Sequence, residues 1–158
     1  KDFQVITGKV GGIDIRYYFY DDENAQVHLK TSVDAVTTFQ NLFGEYPYKQ
    51  LSVVQTNFCF GGMEYPNLVM ISDDVDEEAE NYVIVHEIAH QWWYGLVGNN
   101  EYEDSWVDEG LTEFSTALFL NKIKIMVWIM TLSWKMPPIP IKILCPFSLK
   151  LMAMLTKV

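Results

Sequence analysis

Hydrophobic and polar positions change period several times along this chain, and each change marks an element. Ile13-Asp14-Ile15-Arg16-Tyr17-Tyr18-Phe19-Tyr20 alternates and then turns aromatic, as a β-strand does. Asp21-Asp22-Glu23-Asn24 makes the loop after it. Val33, Val36, Phe39, Gln40 and Phe43 recur at helical spacing, and Gly44 is placed to close that helix. Tyr46-Pro47 opens an extended segment, and 51–55 and 68–72 read as strands. Tyr82-Val83-Ile84-Val85 and Gln91-Trp92-Trp93-Tyr94 flank a polar stretch, which predicts a helix buried on several sides and stopped by Gly95 and Gly98. The acids at 73–78 sit where they favour that helix's dipole. Ser105-Trp106-Val107-Asp108 resembles a capping box, so a further helix carries Glu109 in its first turn. Strand, helix, strands, helix, helix is the order of an α+β fold.

Composition narrows the partners. At 158 residues the chain is long enough for one domain with a real core. A net charge of −10 argues against nucleic acid and favours cationic groups such as peptide amino termini. Cys59 and Cys145 make neither a disulfide framework nor a zinc knuckle, and Cys59 reads as a small core residue. Neither a signal peptide nor a membrane span is visible in this piece, so membrane association is not indicated; the compartment is not fixed by the sequence, with cytoplasm favoured. The start at Lys1-Asp2 reads as an internal piece of a larger protein.

Candidate chemistry concentrates in His86-Glu87-Ile88-Ala89-His90. On a helix, residues four apart lie on one face, so both imidazoles can grip one ion. Glu87 is rotated off that axis and placed to take a proton from water at the metal. Glu109, from the next helix, would complete a His2Glu site with an open fourth position, the arrangement of catalytic zinc. These borderline ligands suit one Zn2+ per chain without excluding cobalt or manganese. Glu113, four residues on, faces the same way and reads either as a carboxylate behind a ligand imidazole or as a solvated helix residue. Trp92, Trp93 and Tyr94 read as core packing or as a substrate wall. Upstream, Gly61-Gly62 lets backbone approach a ligand closely, and Glu64 offers a carboxylate to a peptide's cationic amino terminus.

The run from His86 to Gly95 resembles the signature of the gluzincin zinc aminopeptidases, the aminopeptidase N and leukotriene A4 hydrolase type. That family has HExxH, eighteen residues, then Glu, and His90 and Glu109 reproduce the spacing. Trp106-Val107-Asp108-Glu109-Gly110 resembles its W-x-N-E-G segment, and Gly61-Gly62-Met63-Glu64-Tyr65 its G-[AG]-M-E-N motif, with Tyr65 in place of Asn. The resemblance implies an aminopeptidase acting on peptides with a free amino terminus. Glu87 would be the base, His86, His90 and Glu109 the zinc ligands, and Gly61, Gly62, Met63 and Glu64 the substrate-binding residues. The alternatives are a zinc endopeptidase and an inactive zinc-binding or interaction module. The family's oxyanion-stabilising tyrosine lies well downstream, and after Tyr102 this chain has none.

The same resemblance implies the upper lobe of a thermolysin-like catalytic domain over 29–121, with 1–28 as the end of a preceding β-domain. From Lys122 the text changes. All twenty-one acidic residues fall at or before Glu113, while 114–158 carries six lysines and five of the seven methionines. The tail at 122–158 reads as a divergent basic segment, a membrane-surface element or a frameshifted stretch, and no function is assigned to it.

Overall fold

A hairpin opens the chain. β1 (Gln4–Val10) and β2 (Ile13–Phe19) run antiparallel with Val10 opposite Ile13, leaving only Gly11-Gly12 for the turn. Gly11 holds φ +57, which a tight turn demands and glycine adopts without steric cost. The structure, a computed structural model, describes the backbone of residues 2–132 and the side chains of residues 2–121.

α1 (Ala25–Phe43) crosses over to β3 (Gln50–Thr56), which pairs parallel with β2. β4 (Gly62–Met63) and β5 (Leu68–Ser72) follow, β5 parallel to β3 and β4 antiparallel to β5. The sheet order is β1-β2-β3-β5-β4, which leaves β4 on an edge. α2 (Glu77–Ala89) and α3 (Glu101–Leu132) complete the described fold. Residues 125–158 form a second unit, of which only the end of α3 is described.

Strand periodicity builds the core. β2 buries Ile13, Ile15, Tyr17 and Phe19, β3 buries Leu51 and Val53, and the residues between them stay half-exposed. α1 and α2 cover the buried face with Ala35, Val36 and Phe39 from one and Ile84, Val85 and Ile88 from the other. Each large apolar side chain so buried stabilises by roughly 1.5–3 kcal/mol relative to exposure. A polar network crosses this core. Tyr17 donates to Asp22 Oδ2 at 2.8 Å, and His28 Nδ1 lies 2.9 Å from the same oxygen. His28 Nε2 faces Glu80 Oε2 at 3.6 Å, and Gln55 donates to Glu80 Oε1 at 2.8 Å. It ties β2, β3 and α1 to the first turn of α2.

The mixed α and β composition matches the expectation, but several details differ. The break expected after residue 28 falls inside α1, and β1 and β2 share one sheet with β3 and β5. The reason is the parallel pairing of β2 with β3 across α1, a long-range contact that no local pattern announces. α2 stops at Ala89, with His90 as its C-cap, before the glycines expected to stop it. α3 opens with a short turn from Glu101 and breaks at Asp104 (φ −127, ψ 39), where two helices meet, so the helix that carries Glu109 begins at about Ser105, as expected. Cys59 is exposed, because it sits in the loop between β3 and β4 and outside the core. Of the tail expected to be atypical, 133–158 lies outside the described residues. Among the described residues, no helix is long and apolar enough to cross a membrane.

Candidate metal centre

Glu77, Glu78 and Glu80 fill the first turn of α2, where negative charge suits the helix dipole. Ile84, Val85, Ile88 and Ala89 then fix its rotation by burial against sheet and α1. That rotation leaves His86 and His90 on one side, ring centroids 5.0 Å apart. Trp92 and Trp93 lock the exit from the helix. Trp92 packs on Phe39 and donates to Gly44 O at 3.0 Å; Trp93 packs on Phe43 and donates to Ser115 Oγ at 2.7 Å. Both tryptophans therefore serve packing. Tyr94, at φ +100, turns the chain back so that Trp93 bridges Val97.

α3 brings Glu109 to the two histidines. Glu109 Oε2 lies 3.2 Å from His86 Nε2 and 3.7 Å from His90 Nε2. Donor atoms on a tetrahedral ion with bonds of about 2.1 Å stand roughly 3.4 Å apart, close to both of these spacings, and ligand atoms of His86, His90 and Glu109 all lie within 4.8 Å of one another, as one ion requires. The far ring nitrogens are oriented by α3 as well. His90 Nδ1 lies 2.8 Å from Asp108 Oδ1, 3.1 Å from Thr112 Oγ1 and 3.2 Å from Trp93 O. With Nδ1 occupied in this way, Nε2 is the nitrogen presented to Glu109. His86 Nδ1 lies 3.3 Å from Glu113 Oε2. Asp108 is buried, and burial raises its pKa while His90 opposes the shift.

Glu87 points the other way, to the edge of the sheet. A Cβ on Gly62 would lie 2.2 Å from Glu87 Oε1, so the strand backbone touches the carboxyl. Oε2 of Glu87 is buried with no hydrogen-bond partner. Burial, then the charges of Glu64 and Glu109, push the Glu87 carboxyl up to about 8. Glu64, Glu87 and His90 each bring an oxygen or nitrogen within 4.8 Å of the others. Gly61, Gly62, Tyr82, Val83, His86 and Glu87 line a cavity of about 140 Å³. Met63 lies in β4 opposite Met70.

Thus His86, His90, Glu109, Glu87 and Glu64 gather in one place, Gly61 and Gly62 line the cavity beside Glu87, Met63 follows them in β4, and Glu113 stands behind His86. Two residues escaped the sequence reading. Asp108 was visible only as part of a cap and a motif. Gln91 is fully buried; its Oε1 accepts from Asn67 N at 2.9 Å, and its Nε2 reaches Tyr65 O at 3.3 Å and Glu64 O at 3.4 Å. Its place directly after His90 was the available signal: it pins the Glu64 loop to the segment that leaves α2.

A family model described as the Peptidase family M1 domain matches residues 27–137, past the limit at Asn121 that the sequence reading set. Endoplasmic reticulum aminopeptidase 2 of Bos taurus is 29% identical over 136 residues, covering 76% of this chain and 14% of that protein. Aminopeptidase B of Homo sapiens is 34% identical over 93 residues, covering 53% of this chain and 14% of that protein. The chain therefore spans a small part of the curated relatives it matches. The fold is similar to the crystal structure of a mutant M1 zinc metallopeptidase from Deinococcus radiodurans. The TM-score is 0.59 at 18% identity, over 88% of this chain and 34% of that one.

Proposed function

This chain belongs to peptidase family M1, and on that premise we propose that its parent protein is a zinc aminopeptidase. Residues 29–121 would then be part of a thermolysin-like catalytic domain, its upper lobe. The observation that carries the reading is the convergence of His86 Nε2 and His90 Nε2 on Glu109 Oε2 at 3.2 and 3.7 Å, beside a buried Glu87.

His86, His90 and Glu109 would hold the zinc. Zinc, when bound, activates water and polarises the scissile carbonyl. The ion's charge also favours the carboxylate form of Glu87 against the burial that raises its pKa. Glu87 takes the proton of the attacking water and passes it to the leaving amine. Glu64, beside Glu87, holds the substrate's α-amino cation. β4 is the edge strand, so its outer backbone is available to pair with an extended peptide along Gly61, Gly62 and Met63.

The deciding experiment compares free and amino-acetylated peptides in the intact protein, with Glu64→Ala and Glu87→Gln beside wild type. An aminopeptidase loses turnover with Glu87→Gln and loses its preference for free amino termini with Glu64→Ala. Indifference to acetylation in every variant points to an endopeptidase. Equal inertness of wild type and Glu87→Gln, with zinc bound, points to a non-catalytic module.

A further inference from the structure

Tyr82 stands one helical turn before His86 on α2, and the chemistry above does not use it. Residues four apart share a helix face, and the phenol ring lies against the imidazole with centroids 6.1 Å apart and planes 25° from parallel. The Tyr82 hydroxyl donates to Glu113 Oε2. That same oxygen lies 3.3 Å from His86 Nδ1. A chain of contacts therefore runs from α2 to α3 and back to a ligand ring.

The two histidines are supported differently. His90 Nδ1 is enclosed by Asp108, Thr112 and the Trp93 carbonyl, and Asp108 is itself buried. His86 Nδ1 is buried with no hydrogen-bond partner, because the Glu113 oxygen lies close to it but off the N–H direction. The Glu113 side chain is 58% exposed. A long exposed carboxylate samples many rotamers, and holding one of them costs entropy. Tyr82 supplies the hold: its hydroxyl is the one hydrogen-bond donor to the Glu113 carboxylate among the described residues.

The geometry points to Tyr82 as a positioning residue for the metal centre, an inference that rests on the zinc reading above. Its hydroxyl keeps Glu113 at His86 Nδ1, where a small ring rotation aligns the N–H with the carboxylate. That fixes the ring with Nε2 toward Glu109. Tyr82 also borders the small cavity beside Gly62 and Glu87. Tyr82→Phe leaves that wall and the ring stacking in place and removes only the hydroxyl.

The test is a double-mutant cycle on zinc affinity in the intact protein, read by competition with a chromophoric chelator. Tyr82→Phe and Glu113→Gln should each weaken zinc about tenfold, the lower end of the range for groups behind a ligand. The double variant should be no weaker than Glu113→Gln alone, since Tyr82 acts through that carboxylate. Cobalt(II) in the site should show a shifted visible band with Tyr82→Phe, while the melting point of the chelator-stripped protein stays that of wild type. Additive losses overturn the inference, as does a wild-type affinity and spectrum with Tyr82→Phe, or a loss that tracks a lowered melting point. All three leave the zinc reading standing. Wild-type protein with no zinc affinity overturns both.

Discussion

Gly62 and Glu87 occupy space that no larger residue at 62 could share: a Cβ there would stand 2.2 Å from Glu87 Oε1 and 2.6 Å from its Cγ. The edge strand thus acts as the mould for the candidate base. Gly61, its neighbour, meets only Val75 Cγ2 at 4.0 Å. Gly62→Ala should displace the carboxyl by about 1 Å or more and cut turnover about a hundredfold, with zinc retained. Gly61→Ala should stay near wild type. Kinetics with zinc analysis on both variants checks this; equal behaviour of the two would show that the contact does not set the base.

Asp108 and His90 form the second pairing with a direct consequence. Asp108 Oδ1 sits 2.8 Å from His90 Nδ1, and both groups are buried. Asp108→Ala leaves that nitrogen without its strongest partner and should weaken zinc roughly 10–100-fold. Asp108→Asn keeps an acceptor oxygen in place and should be much milder. Chelator competition measures both, and equal losses would mean that the negative charge matters rather than the hydrogen bond.

The part of this site that was legible in the sequence is the part held by helical periodicity. Four-residue spacing alone puts His86 and His90 on one face, and Val33, Val36, Phe39 and Phe43 trace α1 to its glycine. Long-range pairings were not legible. Alternation in Ile13–Phe19 says that a strand is present, but not that it lies beside β3 across a helix. Trp92 and Trp93 continued an apolar run and so read as helix; what ends α2 early is the left-handed turn at Tyr94 and the Trp93–Val97 bridge. Burial of polar groups escaped as well, since nothing local marks Asp108 or Gln91 as interior.

Gln91 shows what such a residue does. Its amide holds the backbone on both sides of Pro66, at Tyr65 O and Asn67 N, and Asn67 itself stands at φ +65. Gln91→Ala should release the loop that carries Glu64 while leaving His90 in place. The expected outcome is a KM for free-amino-terminal peptides raised about fivefold with kcat little changed, because binding must then order the Glu64 loop at a cost of about 1 kcal/mol, the net worth of a hydrogen bond. A fall in kcat at constant KM would place Gln91 with the reacting groups instead.

Glu80 gives stability a pH dependence far from the candidate metal site. It faces His28 from α1, Asp22 from the loop after β2, Gln55 from β3 and Glu77 on its own helix. Burial raises its pKa above the ordinary 4.5; the attraction of His28 works against this, and Asp22 adds to it. A carboxyl with a raised folded pKa binds more protons folded than unfolded. Its contribution to stability therefore falls as pH rises from about 4.5 towards the folded value. Glu80→Gln keeps an oxygen for the Gln55 amide and removes the titration. The variant should thus gain on wild type as pH is raised from about 4.5 to 7, read as the difference in urea midpoints at each pH. A difference that stays level or shrinks would show that His28 holds Glu80 ionised and that the ion pair outweighs the cost of burial.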